Sequence, residues 1–361
     1  MSDSWYAVIL AGGKGERFWP LSTSSRPKQL LDLIGDRSLL AQAVERLDGL
    51  IPPERIFILT NQDLVEASRA SVPEVPADNI IGEPIGRDTA AAVALGTALV
   101  KARNPEASFC VLTADHVIGD LDIFQTTLRE GLSLAAAQPF LITIGITPKE
   151  PSTGYGYIES GEAYETREGI VFSRAKRFVE KPNRATAETY LAEGTFTWNS
   201  GMFIWSVNSI TQAFRAFRPS LADLIDHLAP VAFTPAFTEA LGQQFAGLEK
   251  ISIDYAVMEK ADNILVAKGV FSWDDVGSWT ALEHHFPQDG ASNTKVGTCE
   301  DLDASGNIIY SKGHLTAVIG VKDLIVVQSE GVTLICPKDR AQEIKQMVTA
   351  LRAQGGYEQV L

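Results

Sequence analysis

The sequence predicts an α/β protein: a doubly wound, mostly parallel sheet followed by a small β-rich C-terminal appendage. Three observations point there. Up to about residue 150, short apolar runs alternate with amphipathic stretches and no tight hairpin turn separates them, so crossovers should join parallel strands. From about 150 to 285 the rhythm is mixed, as insertions into that first sheet would make it. After about 295, short strands are punctuated by Gly306, Gly313, Gly320 and Gly331, the pattern of a small all-β unit.

Taken in order, Trp5–Leu10, Arg55–Leu59, Ser108–Leu112 and Phe140–Ile146 read as strands because they are short, apolar and rich in β-branched or aromatic residues. Leu39–Leu47, Leu64–Ala70, Thr89–Lys101 and Ile123–Ala137 carry the helical period between them. The mixed region offers strands at Gly156–Glu159, Phe172–Val179 and Met202–Trp205, and helices at Ala185–Glu193, Ser209–Phe217 and Tyr255–Lys260. The tail offers strands at Asn307–Tyr310, Leu315–Ile319, Leu324–Gln328 and Thr333–Cys336. Its closing helix, Asp339–Leu351, sets Ile344, Met347, Val348 and Leu351 on one apolar face that must pack against something. The expected domains are residues 1–290 and 295–361.

The chain has 361 residues, enough for a full core, and its net charge of −14 disfavours a nucleic-acid partner. Small phosphorylated ligands stay open to it, since local cations and backbone N–H groups can make a positive pocket on an acidic body. Cys110, Cys299 and Cys336 form no CxxC pair, so buried apolar thiols are expected rather than disulfides or zinc. The apolar run Trp5–Ala11 is too short for a signal peptide or a membrane span, and a cytoplasmic protein without membrane contact is expected.

The strand Ala7–Leu10 runs straight into Ala11-Gly12-Gly13-Lys14-Gly15-Glu16-Arg17. Glycines at 12, 13 and 15 allow backbone N–H groups to turn around an anion where side chains would obstruct it. Arg17 and Lys28 add positive charge on the same segment. The spacing fits neither GxxxxGK[ST] nor a dinucleotide fingerprint. By themselves Arg17 and Lys28 would read as solvated surface cations, and the glycine loop shifts that balance.

The stretch Leu10–Gln29, LAGGKGERFWPLSTSSRPKQ, resembles the signature of the sugar-phosphate nucleotidyltransferases, more narrowly the bacterial mannose-1-phosphate guanylyltransferase type. Further segments match in the family's order: GEPIGRDTAAA from Gly82, LTADH from Leu112, TGYGYIE from Thr153, FVEKP from Phe178, WNSGMF from Trp198 and WDDVGSW from Trp273. The resemblance implies transfer of GMP from GTP to mannose 1-phosphate by direct attack of the sugar phosphate on the α-phosphorus, with no enzyme nucleophile. Catalysis of that kind is positioning and charge stabilisation.

The resemblance also implies roles. Gly12, Gly13 and Gly15 would receive the nucleotide phosphates, Arg17 would stabilise the α-phosphoryl, and Lys28 would hold the triphosphate. Glu83, Gly86, Arg87, Asp88 and Thr89 would border the guanine, with Asp88 or Thr89 also capping a helix. Asp88 replaces the family's usual Asn, and Ala91 or Ala92 its Pro. Asp115 and Asp275 would hold Mg²⁺; Asp274 stands where Ser is usual, and the register with Gly277 selects Asp275. Two carboxylates drawn together from 160 positions apart repel without a cation between them, so replacing either should leave stability level or raise it. Glu180, Lys181 and Asn199 would bind the sugar phosphate, and Gly154 and Tyr155 would close over sugar and base. His116 reads as structural, Asp254 as a helix N-cap, and Trp5, Trp205 and Trp279 as core or pocket-wall aromatics. The tail resembles the family's short left-handed β-helix-like appendage, with a homodimer expected there. Larger relatives carry an isomerase domain beyond it, so with the chain ending at Leu361 that second activity is expected to be absent.

Three rival readings remain at this point. The same chemistry could act on another base or sugar, though GEPIGRDT speaks against it. A catalytically silent nucleotide-sugar-binding subunit would be expected to lose Arg17, Lys28, Asp115 or Asp275, and all four are present. A glycosyltransferase would be expected to carry a DxD motif at a strand end of the first domain.

Overall fold

The computed structural model describes residues 4–329 and 331–361. Its strands, in chain order, begin with β1 (Trp5–Ala11), β2 (Ile56–Asn61), β3 (Ile80–Glu83), β4 (Ser108–Thr113), β5 (Val117–Ile118), β6 (Leu141–Ile146), β7 (Tyr157–Arg167) and β8 (Ile170–Val179). They continue with β9 (Phe196–Ser206), β10 (Ile264–Gly269), β11 (Trp273–Asp274), β12 (Thr294–Leu302), β13 (Ile308–Ile319), β14 (Leu324–Ser329) and β15 (Val332–Pro337). Two compact units result. One contains the segment ending at Gly12 together with Ala43–Ala114 and Ile118–Trp273; the other contains Gly13–Gln42, Asp115–Val117 and Asp274–Leu361.

The first unit is built on a nine-stranded sheet in the order β3-β2-β1-β4-β9-β6-β10-β8-β7. β1 pairs in parallel with β2 and β4, β2 with β3, and β10 with β6. β9 runs antiparallel between β4 and β6, and the β7–β8 hairpin joins at the far edge. The mixed middle region thus enters the first sheet, as its rhythm predicts. β1, β2 and β6 are buried on both faces, which is why they read as apolar runs rather than alternating ones. The alanine-rich helix Asp88–Arg103 is buried from Ala90 to Val100. Its Gly96 permits close approach to β1, since a Cβ there would fall 2.7 Å from a methyl of Val8.

The second unit holds a four-stranded sheet in the order β12-β13-β14-β15, parallel through its first three strands and antiparallel at the last. Its core draws Phe18, Trp19, Leu21, Leu31 and Leu33 from the glycine-loop segment onto Trp279, Tyr310, Ile325, Ile344 and Val348. The tail's apolar face therefore covers the glycine-loop segment itself. Of the four residues assigned to that face, Ile344 and Val348 are buried and Leu351 packs partly against the core, but Met347 is 52% exposed. The closing α-helix is Ile344–Gln354, preceded by a 3₁₀ stretch at Lys338–Glu343, so it starts later than expected. Cys110 is buried, whereas Cys299 and Cys336 are only half-buried. Trp205 and Trp279 are fully buried.

Candidate active site

In the second unit, the glycine loop, Lys28, Asp115 and the Asp274–Gly277 turn come together. Gly15 has a φ of 61°, and a Cβ there would fall 2.3 Å from Lys28 Cβ, so both conformation and space demand glycine. The turn that follows is closed by Phe18 N–H on Gly15 O at 2.9 Å and by the Ser22 hydroxyl on the same oxygen at 2.7 Å. Lys28 is not a surface cation: it is 5% exposed, and its Nζ donates to Asp115 Oδ2 at 3.0 Å and to the backbone oxygen of Asp275 at 2.5 Å. Arg17 is exposed and donates from Nη1 to Gly277 O at 3.3 Å. One short turn thus offers carbonyls to both signature cations.

Burial would raise the Asp115 carboxyl's pKa, but the Lys28 ammonium and then His116 outweigh it and hold it below the usual carboxylate range. His116 is buried, and its Nε2 lies 3.9 Å from Asp115 Oδ1. The sequence pictures Asp115 and Asp275 as two carboxylates separated only by a metal. Lys28 adds a cation to that picture: its ammonium donates to the Asp115 carboxylate and to the backbone oxygen of Asp275, so removing the Asp115 side chain also takes a charged partner from a buried lysine.

Asp274 is spent on structure. Its Oδ1 accepts the Val276 N–H at 2.7 Å, and its Oδ2 receives His284 Nδ1 and His285 Nε2, each at 3.0 Å. Burial works against its charge, yet the His285 and His284 donors and the Val276 amide hold its pKa at about 2. Val276 is buried and sits at φ 47°, a costly conformation for a β-branched residue, on the order of 1–3 kcal/mol, that surrounding contacts must maintain.

In the first unit, Gly12 directly follows β1 and stands beside Glu83, which ends β3; a Cβ on Gly12 would lie 3.6 Å from Glu83 Oε2. Both stand at carboxyl ends of parallel strands, where open α/β sheets receive ligands. Glu83 is 8% exposed, and its Oε1 is a buried oxygen without a hydrogen-bond partner. Burial, with the Asp88 charge as a lesser cause, pushes its pKa up to about 7.

Asp88 and Thr89 do not cap the following helix in the expected way. Asp88 has a φ of 67°, its Oδ1 accepts the adjacent Thr89 N–H at 2.7 Å, and Thr89 Oγ1 accepts the Ile253 N–H at 2.9 Å. Gly86 is exposed with open space at its Cβ position. The Arg87 guanidinium is committed to the carbonyls of Phe245 and Ala246, at 3.3 and 2.6 Å.

Asp254 is not a helix N-cap. It is the first residue of a π-helical turn, Asp254–Met258, and its Oδ1 accepts from Asn199 Nδ2 at 2.8 Å. Burial, then the charges of Glu180 and Asp88, raise its pKa against the Asn199 bond. The Asn199–Asp254 pair is a site feature that sequence reasoning misses, and only the polarity of Asp254 within an apolar stretch signals it. Gly156 keeps room beside this group, since a Cβ there would come within 3.1 Å of Glu180 Oε2. Lys181 has a φ of 39°, is 61% exposed and donates to Glu180 Oε1. Tyr155 packs edge-on against Trp198 and Trp273, with ring centroids 4.9 and 5.2 Å apart, and Gly154 donates its N–H to Ser152 Oγ at 3.2 Å.

A family model described as nucleotidyl transferase matches residues 6–291, and one for the MannoseP isomerase/GMP-like beta-helix domain matches residues 300–351. The chain belongs to the nucleotidyl transferase family. Among its relatives in that family is the mannose-1-phosphate guanylyltransferase of Escherichia coli K12, 36% identical over 98% of this chain and 74% of the relative. The xanthan biosynthesis protein XanB of Xanthomonas campestris is also 36% identical, over 97% of this chain and 74% of its own length. A crystal structure from Thermus thermophilus, described as a mannose-1-phosphate geranyltransferase, superposes with a TM-score of 0.86 at 38% identity, covering 97% of this chain and 99% of that one. As a nucleotidyl transferase the chain is an enzyme, and its C-terminal β unit is of the β-helix type expected. Among the described residues no helix is long and apolar enough to cross a membrane.

Proposed function

We propose that this enzyme transfers GMP from GTP to mannose 1-phosphate, giving GDP-mannose and pyrophosphate. The observation that carries the base assignment is Glu83: a buried carboxylate with an unpartnered oxygen, beside a glycine at the carboxyl end of β1. Guanine presents two adjacent donors, N1–H and N2–H, to such a group. Adenine has no matching pair, so a buried carboxylate facing it would stay unsatisfied. The sugar assignment is supported by the relative named mannose-1-phosphate guanylyltransferase.

In this reading a phosphate oxygen of mannose 1-phosphate forms the new bond to the α-phosphorus, and the bond to the β-phosphate breaks, releasing pyrophosphate. Gly12, Gly13 and Gly15 meet the phosphates with backbone N–H groups, Arg17 stabilises the α-phosphoryl, and Lys28 holds the triphosphate. Glu180, Lys181 and Asn199 orient the sugar phosphate, while Gly154 and Tyr155 close over sugar and base.

The donor set suits Mg²⁺. Asp115 and Asp275 supply oxygens only, and the same ammonium touches both residues. Among the described residues no group of three or more His, Cys, Asp or Glu side chains gathers as a metal site, and Mg²⁺ commonly takes one or two carboxylates, completing its shell with substrate phosphate and water. Bound by Asp115 and Asp275, it would neutralise charge building on the α-phosphate.

The test is pyrophosphate release from the purified protein with Mg²⁺, across a panel of nucleoside triphosphates and sugar 1-phosphates. GTP with mannose 1-phosphate should be fastest. No release from any pair would return the chain to the silent-subunit reading.

A further inference from the structure

Asp274 faces no ligand role of its own, yet it is tied to both signature cations through one turn. Its carboxylate accepts three donors: Val276 N–H, His284 Nδ1 and His285 Nε2. His285 is mostly buried and Asp274 is 13% exposed, whereas His284 lies open to solvent, so the Asp274–His285 contact is the packed one. Between Asp274 and Gly277 the backbone turns through Val276 at φ 47°, a conformation its side chain opposes. The carbonyl of Asp275 in that turn receives Lys28 Nζ, and the carbonyl of Gly277 receives Arg17 Nη1. The same turn carries the Asp275 carboxylate, against which a Cβ on Gly277 would press at 3.3 Å.

We infer that Asp274 and His285 are positioning residues, which lock the Val276 turn so that its carbonyls aim Lys28 and Arg17. The role rests on the transfer reaction proposed above. A turn released from this clamp would relax Val276 toward ordinary φ and shift both carbonyls, and with them both cations. Misplacement of about 1 Å in such groups costs on the order of 100-fold in rate.

The experiment uses the full chain carrying His285→Ala, His285→Gln or Asp274→Ala. His285→Ala should lower kcat by about tenfold or more while KM for mannose 1-phosphate moves less than about threefold. His285→Gln, whose amide can donate from nearly the same place, should recover most of the loss. Amide hydrogen exchange at Val276 should quicken in His285→Ala, although His285 does not touch that N–H. If Asp274→Ala fails to fold, the His285 pair still decides the matter. A kcat for His285→Ala within about twofold of the parent would overturn the inference, as would a loss that Gln does not restore. If the parent transfers nothing to mannose 1-phosphate, the proposed function fails by itself, and Val276 exchange then judges the clamp: faster exchange upholds it and unchanged exchange overturns it.

Discussion

Lys28 and Asp115 form a pair whose two members differ in burial: the ammonium-bearing residue is 5% exposed, while the Asp115 side chain keeps 37% of its surface open. The carboxylate can thus reach a ligand, whereas the lysine depends on it. Replacing Asp115 with Ala takes from the buried ammonium the carboxylate it donates to and leaves it the Asp275 carbonyl. We expect a loss of about 1–3 kcal/mol in urea unfolding, where the sequence alone suggests none. The sign with pH follows from the lowered folded pKa of Asp115: its contribution is complete above the unfolded carboxylate value and fades as pH falls through the folded one.

For turnover, Asp115→Ala and Asp275→Ala should each depress kcat by orders of magnitude, and the double variant should be little worse than either. Residues that share one ion act as a unit. A multiplicative loss in the double variant, measured at saturating Mg²⁺, would separate their roles.

Glu83 has the opposite sign. Its folded pKa of about 7 lies above its ordinary value, so the folded protein holds the extra proton and Glu83 costs stability as pH rises from about 4.5 to 7. The cost above pH 7 is on the order of 3 kcal/mol. Glu83→Gln should therefore be more stable than the parent at about pH 8 and nearly equal to it at about pH 4.5. Nucleotide donors that bind the ionised form should expel the proton, so GTP binding at about pH 6 should release protons detectable by calorimetry in buffers of differing ionisation enthalpy. No proton release would separate Glu83 from the base.

The C-terminal segment is bound to the glycine-loop segment within one unit. Arg352 pairs with Glu16, Trp19 Nε1 donates to Val360 O at 2.8 Å, and the Ser24 hydroxyl donates to Leu361 O at 2.6 Å. Deleting residues 352–361 should thus lower activity and thermal stability together, even though every assigned catalytic residue lies upstream. An undiminished kcat in the truncated chain, measured beside its melting temperature, would show that these contacts do not support the glycine-loop segment.

Much of the first sheet is legible in the sequence because doubly buried strands leave plain apolar runs: β1, β2, β4 and β6 lie within a few residues of the expected strands. β3 escapes because it has four residues and leads directly into EPIGR. β10, β12 and the helices Pro219–Leu228 and Phe237–Phe245 are also absent from the sequence reading. β13 reads as two strands because Gly313 looks like a turn; it sits within the strand at φ 97°. The membership of the glycine-loop segment in the C-terminal core could not be read at all. It rests on contacts such as Trp279 Nε1 to Trp19 O, 260 positions apart, and no local pattern encodes such a pairing. For the same reason the motifs nominate Lys28 and Asp115 separately but cannot reveal their bond.

Lys181 supplies a test of the sugar end. It is exposed, paired with Glu180 and held at positive φ. Lys181→Ala should raise KM for mannose 1-phosphate by about tenfold or more with GTP affinity nearly unchanged. A loss confined to GTP would move Lys181 to the triphosphate.

The central claim, guanylyl transfer directed by a buried carboxylate, is tested most directly by kcat/KM for GTP and ATP with mannose 1-phosphate, in the parent and in Glu83→Ala. The parent should favour GTP by about 100-fold, the worth of roughly two buried hydrogen bonds, and the variant should lose most of that preference through a fall in its GTP value. Equal kcat/KM for the two nucleotides in the parent, or an undiminished preference in Glu83→Ala, would contradict it.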